Sequence, residues 1–275
     1  MGDLEWPLIT FTVLGQVGIG IILMLWWLNR DHLDSKLLRK GTLVSGILLA
    51  LALLASLFHL GHPEAAYRAL THLASSWLSR EILLFLLTFL AWIYLYWKSR
   101  QPSSNPSFGL GVTSVLGLMG VVSSAMIYVL PRVPAWNNIG PVFFFLLTTG
   151  LLGALCTLVL GKELLQPAQR KRLLQGSLGF TILSLLITIV YGSMLSATVE
   201  GAATLNFLLS NPLFWARALL GWIAPLVLLI ALLKKGHVEK PQLIVVVTVL
   251  AALGEILGRI LFYLSAVGIH INALF

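Results

Sequence analysis

The sequence predicts an all-α, polytopic membrane protein, a bundle of eight transmembrane helices forming one domain over residues 1–275, with both termini outside. Three observations carry this expectation. Hydrophobic residues make up 58% of the chain and charged residues only 10%, where a soluble domain carries about a quarter charged; mean hydropathy is +0.94. The apolar runs are continuous and about 20 residues long, enough for a helix to cross the hydrocarbon core, whereas barrel strands would alternate over about 10. The basic residues collect in every second connection, so the net charge of +8 does not call for nucleic acid.

The expected spans are 8–29, 42–60, 81–98, 109–130, 142–161, 175–196, 213–233 and 241–265. The segment before the first carries Asp3 and Glu5 but no Lys or Arg. No cleavable signal peptide is expected there, and the first span should remain in the mature protein. Between the second and third spans lies FHLGHPEAAYRALTHLASSWLSREI, Phe58 to Ile82. Pro63 and Glu64 suit the first turn of a short interfacial helix over 64–75, and Ser79 suits the N-cap of the third span. The fourth connection, PRVPAWNNIGP, reads as a rigid loop. Trp6, Trp77, Trp97 and Trp136 fall near span ends, where amphipathic rings favour the interface. The short connections leave no room for a soluble domain. Cys156 is the sole cysteine, so the chain forms no internal disulfide and ligates no iron–sulfur cluster alone.

Thirteen of the 18 basic residues lie in connections 1–2, 3–4, 5–6 and 7–8: Arg30, Lys36, Arg39, Lys40, Lys98, Arg100, Lys162, Arg170, Lys171, Arg172, Lys234, Lys235 and Lys240. The positive-inside rule therefore places these connections in the cytoplasm and both termini outside.

With that orientation the ionisable groups within spans, and the polar Gln16, fall in the outer half. Gln16 sits in the outer half of span 1, His59 at the outer end of span 2, Glu81 at the start of span 3 and Arg217 at the start of span 7. In span 8, GEILGR puts Glu255 and Arg259 four apart on one face, able to pair, with Tyr263 one turn further. Arg259 lies roughly 27 Å from the inner end of its helix. Ionisable groups in such spans are costly and usually functional, and a one-sided set argues against an ion path across the whole membrane. It suits a lipid-soluble ligand such as a quinone, with its tail among the helices. Each residue also has a plain structural reading: His59 as an interfacial histidine, Glu81 as a dipole partner, Glu255 with Arg259 as an ion pair locking span 8. His62 and His72 read as solvated loop residues and His32 and His237 as cytoplasmic. Met24, Met126 and Met194 read as packing. A bis-histidine haem is not expected, because His59 has no evident partner.

Over nearly its whole length the chain resembles the membrane-anchor subunit of the anaerobic dimethyl sulfoxide reductases. The resemblance rests on EWPLITFTVLGQ at 5–16, HLGHP at 59–63, LSREI at 78–82, VPAW at 133–136, FWARALL at 214–220 and GEILGRILFY at 254–263. His62, Arg80 and the pair Pro131 and Arg132 depart from the family pattern. The resemblance implies a subunit of the bacterial cytoplasmic (inner) membrane, with its termini on the periplasmic side. Such a subunit binds menaquinol near the outer face, carries no haem or metal, and lacks complete activity alone. It implies two partners, an iron–sulfur subunit with four [4Fe–4S] clusters and a molybdopterin catalytic subunit. It implies His59 and Glu81 as the residues tied to quinol binding; Gln16, Glu255, Arg259 and Tyr263 join them as candidate quinol contacts from the depth argument. The alternatives are the anchor of a polysulfide or tetrathionate reductase, a passive anchor that binds no quinol, and a secondary transporter. The last would need midplane polar groups and broken helices.

Overall fold

A computed structural model of the chain describes residues 5–31, 33–58, 71–101, 105–234 and 241–266, and every regular element among them is a helix. In order these are α1 (Trp6–Leu28), α2 (Ser35–Leu57), α3 (Trp77–Ser99), α4 (Ser107–Met126), α5 (Gly140–Leu160), α6 (Pro167–Leu195), α7 (Val199–Ser210), α8 (Pro212–Arg217), α9 (Ala224–Leu233) and α10 (Pro241–Leu264). A π-helical turn, Ala218–Ile223, joins α8 to α9. Counting α8 through α9 as one span, eight of the helices are long and apolar enough to cross a membrane.

The bundle is built round α1. Its apolar stretch is 78% buried, against 22% for α6, and it packs on α2, α4, α5 and α10. In an apolar solvent, helices associate by close van der Waals fit, and small residues permit it. A Cβ on Gly20 would lie 2.2 Å from the Thr149 carbonyl oxygen, so α1 and α5 touch through bare backbone.

One end of the bundle gathers the cations and the helix termini they serve. Arg39 Nε donates to the Ser99 carbonyl at 3.2 Å and Lys40 Nζ to the Leu160 carbonyl at 3.3 Å. Both meet the last carbonyls of a helix, where cations are favoured. Arg172 pairs with Asp31 at 2.7 Å, and Gln169 Nε2 donates to the Asp31 carbonyl at 3.2 Å. Asp34 caps α2, accepting from the Lys36 and Leu37 amides.

The opposite end departs from several expectations. The N-cap of α3 is Ser76, which accepts from the Ser79 amide at 3.3 Å; Ser79 lies inside the helix, buried. The earlier serine leads because Arg80 then reaches back to the Leu73 and Ala74 carbonyls and fastens the preceding turn. Trp136 is no interfacial ring. It is buried, stacks on Phe262 with centroids 5.1 Å apart, and donates to the Phe262 carbonyl. Here α4 ends at Met126 rather than near 130, while at the cation end α6 begins at Pro167 rather than near 175. Connection 6–7 contains α7, started by a Thr198 cap on the Gly201 amide. Of the interfacial helix expected at 64–75, residues 64–70 lie outside the described residues, as do His32, His62 and His237.

The seventh span is interrupted. Pro225 has no N–H and its ring crowds the carbonyl four residues back, that of Gly221. The chain responds with the wider turn, in which the Ala224 amide donates to the Leu219 carbonyl, one residue further back than in an α-helix. The same turn brings Gly221 against α10, where a Cβ on Gly254 would lie 2.1 Å from the Gly221 Cα.

Candidate functional site

Glu81, Arg217, Glu255 and Arg259, charged side chains of the expected spans, gather with Gln16 at the end of the bundle opposite the cations, in two neighbourhoods that meet at Arg259. Gln16 on α1 is buried and its Oε1 accepts from Arg259 Nη2 at 2.9 Å. The guanidinium lies over the Phe145 ring, 3.7 Å from its centroid, a cation–π contact that offsets part of the cost of burying the charge. One turn along α10, the Tyr263 hydroxyl meets the Tyr128 hydroxyl at 3.0 Å. Glu81 is buried in the second turn of α3 and accepts from the Ser124 hydroxyl of α4. It therefore does not serve the helix dipole at the first turn. Glu81, Tyr263 and Arg259 all lie within electrostatic reach of Tyr128.

The second neighbourhood is a cavity of about 370 Å³ between α5, α6, α7, α10 and the broken span. Glu255 and Arg259 line it, together with Thr148, Tyr191, Arg217 and Trp222. The expected ion pair between Glu255 and Arg259 does not form. Glu255 accepts from Thr148 Oγ1 at 2.5 Å while Arg259 turns to Gln16, so partners on α5 and α1 separate two residues that share a helix face. Arg217 lies against the bare backbone of α10, where a Cβ on Gly258 would come within 2.7 Å of its Cζ. Its guanidinium sits 4.8 Å from the Trp222 ring centroid. The Nε atoms of both Arg217 and Arg259 are buried with no hydrogen-bond partner. The wall also includes Ile189, Trp215 and Ile223, which are 62%, 60% and 55% exposed, so the cavity opens sideways toward the apolar belt.

The structure thus brings Gln16, Arg259 and Tyr263 together, sets Glu81 beside them, and sends Glu255 to the cavity. His59 lies outside the described residues. Sequence reasoning passed over Ser124, Tyr128, Thr148 and Tyr191 as site residues. Their signal is contact across helices, which spacing along one helix does not carry. Arg217 was visible as a charge at the mouth of span 7, but not as a cavity residue. Among the described residues no group of three or more His, Cys, Asp or Glu could hold a metal ion.

An all-helical bundle with eight helices long and apolar enough to cross a membrane is the architecture of a multi-pass membrane protein. Residues 1–264 match the family described as DMSO reductase anchor subunit (DmsC), and the chain belongs to it. Among its relatives in Escherichia coli strain K12 are two chains of anaerobic dimethyl sulfoxide reductases. One is 30% identical, over 98% of this sequence and 96% of its own. The other, YnfH, is 27% identical, over 98% and 95%. A shorter stretch, 32% of this sequence and 29% of its relative, is 37% identical to a subunit of the sulfite dehydrogenase of Allochromatium vinosum.

Proposed function

We propose that the chain is the quinol-oxidising membrane anchor of a molybdenum reductase of the dimethyl sulfoxide reductase kind. The observation that carries this reading is the cluster of Gln16, Glu81 and Arg259, all buried, with the half-buried Tyr263, at the end of the bundle opposite the cations. The basic end faces the cytoplasm by the positive-inside rule, so the cluster faces outward from the bacterial inner membrane. Oxidation of menaquinol releases two electrons and two protons. His59 accepts a ring hydroxyl's hydrogen bond and takes its proton. Glu81 passes protons to the outer water, and Arg259 steadies negative charge on the ring oxygens. The electrons leave to a partner with four [4Fe–4S] clusters and onward to a molybdopterin subunit. Protons and electrons both leave on one side, so this step moves no net charge across the bilayer.

Quinol-driven turnover of the assembled complex in membranes tests this reading. His59→Leu and Glu81→Gln should each depress it with assembly intact. A His59→Leu complex that assembles and keeps wild-type turnover removes the histidine from the mechanism. The stretch similar to the sulfite dehydrogenase subunit favours a second reading, an anchor that reduces quinone with electrons from a dehydrogenase. Electron flow from artificial donors into added quinone would distinguish the two.

A further inference from the structure

The cavity beside Arg259 holds chemistry that the Glu81 cluster does not use. Arg217 presents a buried N–H with no acceptor, and Arg259 presents another from the neighbouring wall. An unmatched charged donor inside an apolar bundle is costly, and a ligand oxygen would relieve both. Glu255 lines the same space with one carboxylate oxygen held by Thr148, and it keeps capacity to accept a further hydrogen bond. Donors and an acceptor facing one space match a head group that both accepts and donates. A phosphate would meet two guanidinium groups but also the repulsion of Glu255. The walls include the rings of Phe144, Tyr191, Phe214, Trp222 and Phe262, apolar aromatic surroundings that suit an aromatic ring. The volume of about 370 Å³ falls in the range of about 300–1,000 Å³ usual for small-molecule pockets. The lateral opening past Ile189, Trp215 and Ile223 leads into the lipid, where an isoprenoid tail would lie.

We propose that this cavity is a docking chamber through which the quinol ring enters on its way to the His59 and Glu81 site, with Arg217 donating to a ring oxygen and Glu255 accepting from a ring hydroxyl. Arg259 then stands between the docked ring and the Gln16 and Tyr263 side of the cluster, and Glu81 lies beyond it. The inference rests on the quinol reading, to which it adds a place and a recognition residue. It also accounts for the broken span. The wide turn carries Ala218, Trp222 and Ile223 of the chamber wall and follows directly on Arg217.

The test is photolabelling of the assembled complex in its membrane with an azido-substituted quinone, followed by peptide mapping, with excess unlabelled quinol as competitor. Competed label on peptides spanning 185–223 and 255–265 is the expected result. In Arg217→Gln that label should fall roughly tenfold, the loss of one charge-assisted hydrogen bond. Ala218→Leu fills the chamber without removing a charge and should give a similar loss; it decides the matter if the Arg217 variant does not assemble. Label confined to peptides around Glu81 would overturn the chamber and leave the quinol reading standing. Absence of competed label anywhere in an assembled complex would overturn both. Recovery of a phospholipid but no quinone by organic extraction, with the chamber unlabelled, would assign the cavity to structural lipid and also overturn the proposal.

Discussion

Arg259 Nη2 donates to Gln16 Oε1 across 2.9 Å, joining the last spanning helix to the first through the buried centre of the bundle. Gln16→Leu would remove that acceptor and leave the guanidinium against the rings of Phe145 and Phe262. A stability loss of about 2–3 kcal/mol is expected, that of a hydrogen bond to a buried charged group. Gln16→Glu, which supplies a carboxylate at the same reach, should lose less. Thermal unfolding of the purified complex would measure both.

Glu81 and Ser124 separate stability from chemistry. Ser124→Ala removes the donor to a buried carboxyl group and should cost about 1–3 kcal/mol. Glu81→Gln keeps an acceptor for Ser124 but takes up no proton. Its complex should accumulate normally while quinol-driven turnover falls about 10²- to 10⁴-fold, the usual contribution of a positioned acid or base. Unchanged turnover in Glu81→Gln would make the carboxyl structural.

Tyr128 and Tyr263 share one hydroxyl–hydroxyl bond. Each change to Phe should cost about 1 kcal/mol, and the double variant little more than either alone. Additive losses in a double-mutant cycle of chemical denaturation would show that the hydroxyl groups act independently.

Two glycine substitutions should behave oppositely. Gly254→Ala places a methyl group 2.1 Å from the Gly221 Cα, so α10 and the wide turn must part, at a cost of about 1–3 kcal/mol or more. Gly176→Ala meets nothing within 4 Å and should be neutral or stabilising by up to about 1 kcal/mol, the helix preference of alanine. The yield of assembled complex from membranes would show the contrast.

The eight crossings were legible because hydropathy and charge asymmetry are properties of whole segments. Arg172, Arg39 and Lys40 behave as their positions at helix ends dictate. The partners of the site residues were not legible. Spacing put Glu255 opposite Arg259, yet Thr148 and Gln16 take them to different helices, and no period along one segment reports its neighbours. Helix α7 was missed because it is a short piece of 12 residues between two longer apolar runs. The cap of α3 was expected at Ser79, and the reach of Arg80 back to Leu73 and Ala74 favours Ser76 instead. The wide turn at Gly221 and Pro225 was not expected, because only the geometry shows that together they widen it.

That widened turn is a phase shifter. An α-helix advances about 100° for each residue, and the extra residue taken up at Ala218–Ile223 offsets α8 from α9 by about that angle. Arg217 can thus face inward while α9 keeps its own seam against α6. Deleting one residue here would leave composition and hydropathy almost untouched, yet it would swing the arginine off the cavity and toward the lipid. The count of residues in this turn is itself a carrier of information about the site.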